Sequence, residues 1–154
     1  MPSRDRRPRV LAIASGGGHW IQLQRLRPAF TGADVTWASV DRGSAGDVAP
    51  DRFVRVPDCN RDRRLAVVRA ALAVLWLLLR VRPDVVVTTG AAPGLLAIRL
   101  ARLVRARTLF LDSVANAEEP SYSARLAMGH ATAVWTQWPH LAREHGPTFH
   151  GAVL

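Results

Sequence analysis

The stretch Val10-Leu11-Ala12-Ile13-Ala14-Ser15-Gly16-Gly17-Gly18-His19-Trp20 decides how the rest of the chain can fold. An apolar run that favours β-structure stops at three glycines, and helical spacing of apolar residues resumes at Trp20. This pattern predicts a buried strand, a tight turn and a helix N-terminus. Glycines let the backbone approach a ligand closely, and the free N–H groups at a helix start favour an anion. We therefore expect a phosphate-binding turn with His19 at its mouth.

Two other interpretations of this turn stay open. The dinucleotide fingerprint is incomplete, because Gly16 and Gly18 are followed by Ile21 where the third glycine belongs. Asp41 nevertheless stands about twenty residues beyond the glycines, where a ribose-binding acid would lie, so a nucleotide-dependent oxidoreductase is the alternative function. The turn could also serve only to pack the helix closely on the strand.

Composition predicts one globular domain over residues 1–154, with a flexible basic N-terminus at residues 1–8. A net charge of +9 arises from 21 arginines against 12 carboxylates, and the chain has no lysine. Such a surface attracts anions such as nucleic acid, anionic lipid or sugar nucleotides. The single cysteine, Cys59, excludes an internal disulfide framework and a cysteine metal cluster, which fits a reducing cytoplasm. We expect neither a metal nor a cofactor.

Strand and helix patterns alternate along the chain, which predicts an α/β fold with a Rossmann-like open parallel sheet. A second strand-glycine-helix unit, Thr88-Thr89-Gly90 with Pro93, should meet the same sheet edge as the first. Asp112-Ser113 ends a further strand at that edge. Predicted strands occupy 10–14, 35–40, 53–56, 85–89, 108–111 and 132–136, predicted helices occupy 20–29, 61–80, 95–103 and 139–145, and polar loops occupy 42–51 and 114–124.

The predicted helix at 61–80 begins with arginines and continues from Ala70 to Leu79 without a charge. The apolar run is too short to span a bilayer, which takes about twenty residues. It fits either a buried core helix or an interfacial helix that inserts apolar side chains and places arginines among headgroups. The expected membrane contacts are Arg69, Leu75, Trp76, Leu78 and Leu79.

Four motifs in order carry a resemblance to a known family. They are Ser15-Gly16-Gly17-Gly18-His19, Thr88-Thr89-Gly90 with Pro93, Asp112-Ser113-Val114-Ala115-Asn116 with Pro120-Ser121, and Gln137-Trp138-Pro139. The chain resembles the acceptor-side, membrane-associated subunit of the bipartite UDP-N-acetylglucosamine transferase of lipid-linked oligosaccharide biosynthesis, and its bacterial capsule and exopolysaccharide relatives. Asp112 and Asn116 stand where that family commonly has glutamate and arginine.

The resemblance implies the N-terminal half of a GT-B glycosyltransferase. Such a subunit would bind a polyprenyl-phosphate-linked acceptor, and a donor-binding partner subunit would supply most of the UDP-sugar pocket. The complex would be a hexosyltransferase or N-acetylhexosaminyltransferase of polysaccharide biosynthesis, peripheral at the inner, cytoplasmic face of the cell membrane. Nucleic acid is not an expected partner, because the arginines are scattered and lack a recognition motif.

His19 is the expected general base, because an imidazole can take up a proton near neutral pH and this one lies at a glycine-lined helix start. The N–H groups of the glycine turn are expected to hold either the acceptor's phosphates or the leaving diphosphate. The expected substrate-binding residues are Ser15, Gly16, Gly17, Gly18, Thr89, Gly90, Asp112, Ser113 and Asn116.

Overall fold

A computed structural model of the protein describes residues 6–60 and 62–153. The strands are β1 (Arg9–Ile13), β2 (Asp34–Ser39), β3 (Arg52–Arg55), β4 (Val85–Thr88), β5 (Arg107–Leu111), β6 (Ala133–Thr136) and β7 (Thr148–Phe149). The α-helices are α1 (Gly18–Arg25), α2 (Arg64–Val81), α3 (Ala91–Leu100) and α4 (Tyr122–Ala127). Short 3-10 helices occupy Arg27–Phe30, Arg42–Val48, Ala101–Val104 and Pro139–Leu141.

The strands form one sheet in the order β3-β2-β1-β4-β5-β6-β7, and each neighbouring pair is parallel. The prediction of an open, parallel, Rossmann-like α/β sheet is therefore confirmed. Chain order reverses direction between β1 and β4, so the two predicted glycine turns follow adjacent strands. In sheets of this kind the crevice at the reversal point is where ligands bind.

Local differences from the predicted elements have identifiable causes. The helix predicted at 20–29 ends at Arg25 and continues as a 3-10 turn, because Pro28 lacks the N–H that an α-helix would need. The helix predicted at 95–103 begins already at Ala91, since Pro93 lies in a first turn where a missing N–H costs nothing. Of the helix predicted at 139–145, only the 3-10 turn Pro139–Leu141 forms.

Two elements lie outside the predicted helices and strands. Helix α4 starts inside the predicted loop 114–124, where the Ser121 hydroxyl caps it by accepting a hydrogen bond from the Ala124 N–H at 3.0 Å. Strand β7 adds two residues to the sheet edge. Of the predicted flexible segment 1–8, residues 1–5 lie outside the described residues, whereas Arg6 pairs with Asp84 at 2.8 Å.

Apolar side chains of the sheet point to both faces, and each face is covered. Successive β1 residues alternate between the two faces, as expected for a pleated strand. Helices α2 and α3 cover one face, whose fully buried residues include Leu11, Ile13, Val74, Leu77, Leu78 and Val86. Helix α1 covers the other face, where the buried residues include Val10, Ala12, Trp20, Leu23 and Trp37.

One face of helix α2 packs into the core, and the opposite face exposes apolar side chains to solvent. Leu78 is fully buried against the sheet, so the expectation that it contacts a membrane is wrong. Leu75 is half-buried, whereas Trp76 and Leu79 are more than half exposed. Five consecutive apolar residues encircle the helix, and the sequence alone does not say which of them face inward. Within the described residues, no helix is long and apolar enough to cross a bilayer.

Helix α3 lies unusually close to strand β4. A Cβ atom placed on Gly94 would lie 2.0 Å from Thr88 Oγ1 and 2.9 Å from Thr88 Cβ. Thr88 is fully buried, and its hydroxyl accepts a hydrogen bond from the Gly90 N–H at 3.2 Å. A glycine at position 94 therefore sets the distance between the helix and the second glycine turn.

We expect Gly94→Ala to destabilise the protein by about 1–3 kcal/mol, because the added methyl forces helix and strand apart in a packed core. The matched control is Gly18→Ala, in the first turn of α1, where an added Cβ meets no atom within 4 Å. Urea unfolding of both variants measures the difference. A Gly94→Ala protein as stable as the control would show that α3 can shift freely.

Candidate functional site

The first glycine turn is open to solvent and begins α1. Gly17 has φ 66°, a left-handed conformation that favours glycine, and it precedes the first helical residue. A Cβ added at Gly17 or Gly18 would meet no atom within 4 Å, so space lies directly above the turn. The first N–H groups of a helix have no partner within the helix. The N–H groups at this open turn can therefore donate hydrogen bonds to an anion.

His19 joins the first turn to the second. Its Nδ1 lies 2.9 Å from the Thr89 carbonyl oxygen, and the Thr89 hydroxyl in turn donates to the His19 carbonyl oxygen. Because a carbonyl oxygen only accepts, Nδ1 must carry a proton, and in the neutral ring Nε2 then holds the lone pair. Nε2 makes no hydrogen bond to any of the described residues. The ring is thus fixed in the tautomer that a base at Nε2 requires.

The second turn is shaped to fit that ring. A Cβ on Gly90 would lie 3.0 Å from two ring atoms of His19, and Gly90 has φ 127°. Ala91, the first residue of α3, has φ 66°, which is costly for a residue with a Cβ. Thr89 is 1% exposed, so its side chain holds His19 and does not present a surface to a ligand.

Asp112 is engaged entirely by its own loop. It is 3% exposed, and its carboxylate accepts hydrogen bonds from the Ser113 N–H, the Asn116 amide and the Ser121 N–H. The expectation that Asp112 contacts a substrate directly therefore does not fit this geometry, since both oxygens are occupied and buried. Asp112 instead holds residues 112–121 in one conformation, up to Ser121, which caps α4.

A buried amide pair supports the same loop, and the sequence pattern alone assigns no role to either side chain. Gln22 of α1 donates to the Ser113 hydroxyl at 3.0 Å and accepts from Gln137 at 2.6 Å. Gln137 also donates to the Asp112 carbonyl oxygen at 2.9 Å and accepts from the Val153 N–H at 2.8 Å. The only sequence signal was Gln137 in the fourth motif. Ser113 is consequently a supporting residue, 8% exposed, rather than an open ligand group.

The expected binding residues thus separate into two sets. Ser15, Gly16, Gly17, Gly18 and His19 are exposed or half-buried at the end of β1, beside Gly90. Thr89, Asp112 and Ser113 are buried and hold backbone or side chains in place, while Asn116 is half-buried on Asp112. The sequence predicts that these residues meet at one edge of the sheet. It does not predict which side chains face a ligand and which only support the others.

An arginine-rich concavity adjoins this edge. It measures about 380 Å³ and includes Arg42, Arg55 and Arg69, with Asp58 as its acidic member. Arg55 also donates to the Val40 carbonyl oxygen at 3.1 Å, next to the first glycine turn. The excess of positive charge raises the local concentration of anionic ligands.

Asp41 has a structural role that accounts for its place at the end of β2. Its carboxylate accepts a hydrogen bond from the Gly43 N–H at 3.0 Å and caps the 3-10 helix Arg42–Val48. Ile21, which replaces the third glycine of the dinucleotide fingerprint, is 52% exposed on α1. These two observations weaken the oxidoreductase interpretation.

The fold of this chain is similar to that of several solved proteins. No family model and no curated protein sequence matches the chain. MurG of Acinetobacter baumannii superposes with a TM-score of 0.73 at 13% identity, over 92% of this chain and 45% of that one. The glycosyltransferase SsfS6 of Streptomyces sp. SF2575 superposes with a TM-score of 0.59 at 17% identity, over 86% and 51%. A putative UDP-N-acetylglucosamine 2-epimerase of Listeria monocytogenes gives 0.64 at 12% identity, over 86% and 39%.

The chain therefore spans about half the length of the structures it resembles, or somewhat less. At these identities the likeness establishes the fold alone, and the epimerase shows that this fold accompanies more than one activity. The architecture is one Rossmann-like α/β domain, similar to about half or less of MurG, SsfS6 and the epimerase.

Proposed function

We propose that this chain is the acceptor-binding half of a two-subunit glycosyltransferase. It would transfer a sugar from a UDP-sugar to a polyprenyl-phosphate-linked acceptor, in polysaccharide or lipid-linked oligosaccharide biosynthesis. The observation that carries the proposal is His19, held by Thr89 in one tautomer between two glycine turns at the reversal point of the sheet. A fixed imidazole beside a turn whose N–H groups can bind an anion would serve transfer to a phosphate-linked acceptor.

In the proposed reaction, Nε2 of His19 takes the proton of the acceptor hydroxyl as its oxygen attacks the anomeric carbon of the donor. The bond between that carbon and the diphosphate breaks, and the electron pair leaves with the diphosphate. Nδ1–H stays on the Thr89 carbonyl oxygen, which orients the ring and stabilises the imidazolium that forms.

Phosphate recognition is assigned to the first turn. The N–H groups that begin α1 and the positive end of its dipole face the open space above Gly17 and Gly18. Arg55, which donates to the Val40 carbonyl oxygen next to that turn, adds positive charge there. Either the acceptor's phosphates or the leaving diphosphate fits this environment.

The second half of the active site is proposed to come from a donor-binding partner. A GT-B active site is a cleft between two sheets, and the described chain forms one sheet. The assignment of the second sheet to a separate subunit rests on the four motifs that resemble the acceptor-side subunit of a bipartite transferase.

The outer face of α2 is proposed to lie on the membrane. We define the α2 stripe as its five exposed apolar residues, which recur every three or four positions and therefore share one side of the helix. Three arginines of α2, Arg64, Arg69 and Arg80, are also exposed, and Arg80 lies 5.8 Å from the ring centre of Trp76. Apolar side chains flanked by arginines suit an anionic membrane surface. The α2 stripe consists of Leu65 (86% exposed), Val68 (54%), Leu72 (61%), Trp76 (57%) and Leu79 (53%).

The isolated chain is expected to show no turnover, and turnover should appear on mixing with a donor-binding subunit, because neither half alone encloses the reaction. Transfer of radiolabelled sugar to a short-chain polyprenyl-diphosphate acceptor measures it. Full activity of the purified chain by itself would contradict the two-subunit proposal.

His19→Gln should lower turnover of the complex by about 10²–10⁴-fold, because glutamine cannot take a proton at neutral pH. Its amide can still donate to the Thr89 carbonyl oxygen, so we expect the unfolding midpoint to change little. The matched control is His130→Gln, a substitution of an exposed histidine between α4 and β6. Near-normal turnover of His19→Gln would leave His19 a positioning role only.

Leu72→Glu combined with Trp76→Glu should release the protein from anionic vesicles and leave it folded, because both side chains are already exposed. The control pair, Met128→Glu with Phe149→Glu, makes the same change of charge at exposed apolar residues away from α2. Vesicle sedimentation measures binding and circular dichroism measures folding. Equal loss of binding in both pairs would contradict a membrane role for the stripe.

A further inference from the structure

The edge of the sheet opposite the glycine turns carries a second concentration of positive charge. Two neighbouring concavities of about 520 and 560 Å³ open there, and Arg9, the first residue of β1, lines both. Together they are lined by seven arginines and three carboxylates. The arginines are Arg6, Arg7, Arg9, Arg52, Arg82, Arg105 and Arg107, and the carboxylates are Asp34, Asp51 and Asp84.

Each of the three carboxylates is already engaged within the protein. Asp34 pairs with Arg52 at 3.0 Å, and Asp51 pairs with Arg27 at 3.2 Å. Asp84 accepts from Arg6 at 2.8 Å and from the Arg9 backbone N–H at 2.7 Å, contacts that hold the pKa of Asp84 below its usual value.

The concavity of about 560 Å³ therefore keeps an excess of positive charge. Arg82, Arg105 and Arg107 surround it, and their guanidinium groups make no hydrogen bond or ion pair with residues 6–60 or 62–153. Asp84 is the one carboxylate among its lining residues.

Arg9 supplies a buried donor without an acceptor. Its Nε is shielded from solvent and has no hydrogen-bond partner in the described part of the chain. A buried charged donor left unpaired is unfavourable, and the negative charge of an anion bound in the concavities would offset that cost. Nε belongs to the side chain that both concavities share.

Two of the surrounding arginines occupy backbone positions that favour glycine. Arg82 follows α2 with φ 47°, and Arg105 follows the 3-10 helix Ala101–Val104 with φ 57°. A cation near a helix C-terminus interacts well with the dipole, which accounts for arginine at these two positions. That explanation does not extend to Arg9 and Arg107, which begin strands of the sheet.

We propose that this concavity, bounded by Arg9, Arg82, Arg105 and Arg107, is a binding site for a phosphate group. Guanidinium groups match phosphate oxygens in geometry and charge. Leu79 and Leu103, which are 53% and 61% exposed, line the same concavity and suit the apolar part of a lipid that carries the phosphate. Leu79 also ends the α2 stripe, so a bilayer on that stripe would reach the site. The inference does not depend on the proposed transfer reaction.

The test uses vesicles of phosphatidylglycerol in phosphatidylcholine and, separately, inorganic phosphate and pyrophosphate. Arg82→Asn with Arg105→Asn removes two charges and places asparagine, which tolerates the left-handed conformation, at both positions. We expect vesicle affinity to fall by roughly tenfold or more. The control pair Arg125→Asn with Arg143→Asn, which loses the same charge at exposed residues outside both concavities, should change it by less than about threefold. Transfer to a soluble acceptor should be unchanged in the first pair, which separates this site from the proposed function.

Arg9→Met provides the second arm, because methionine keeps the apolar stem and removes the unpaired Nε. We expect its unfolding midpoint to equal or exceed that of the wild type, while its vesicle binding falls. If phosphate or pyrophosphate raises the midpoint of the wild type but not of Arg9→Met, the ligand is a free phosphate; if only vesicle binding responds, it is a lipid headgroup. Unchanged binding in both arms, equal losses in both arginine pairs, or a lower midpoint for Arg9→Met would overturn the proposal.

Discussion

The reciprocal hydrogen bonds between His19 and Thr89 are the constraint on which the candidate site depends. They connect the second residue of α1 with the residue that follows β4, 70 positions further along the chain. Strands β1 and β4 pair directly, with Ile13 beside Thr88. The two glycine turns that follow these strands must therefore share a small space. Glycine at position 90 leaves room for the imidazole, and glycine at position 94 lets the next helix approach. One contact therefore determines the backbone around both turns.

Much of the fold follows from local sequence pattern. Continuous β-branched runs such as Val85-Val86-Val87 predict buried parallel strands, and their alternation with helices predicts the sheet. The sequence does less well where the direction of a side chain decides the outcome. Leu78 and Leu79 are chemically identical neighbours, yet one is fully buried and the other is half exposed. Only the placement of α2 on the sheet separates them.

The candidate site shows the same limit at longer range. The glycine turns and His19 could be predicted because strand, turn and helix start are adjacent in sequence. The role of Asp112 could not be predicted, since it depends on which hydrogen-bond donors reach the carboxylate in the folded chain. Gln22 and Gln137 are 115 positions apart and meet only in the folded chain. An excess of arginine predicted affinity for anions, but the composition does not divide those arginines between two opposite edges of the sheet.

The hydrogen bonds that surround Asp112 have a consequence for the entropy of binding. A loop of this length would ordinarily sample many conformations, and a ligand that needed one of them would lose affinity in ordering it. Here a carboxylate with three donors, backed by the Gln22 and Gln137 amides, orders residues 112–121 before any ligand arrives. The ordering cost is met during folding, when burial of the core supplies the free energy. A ligand that contacts this loop would then lose no affinity in ordering it.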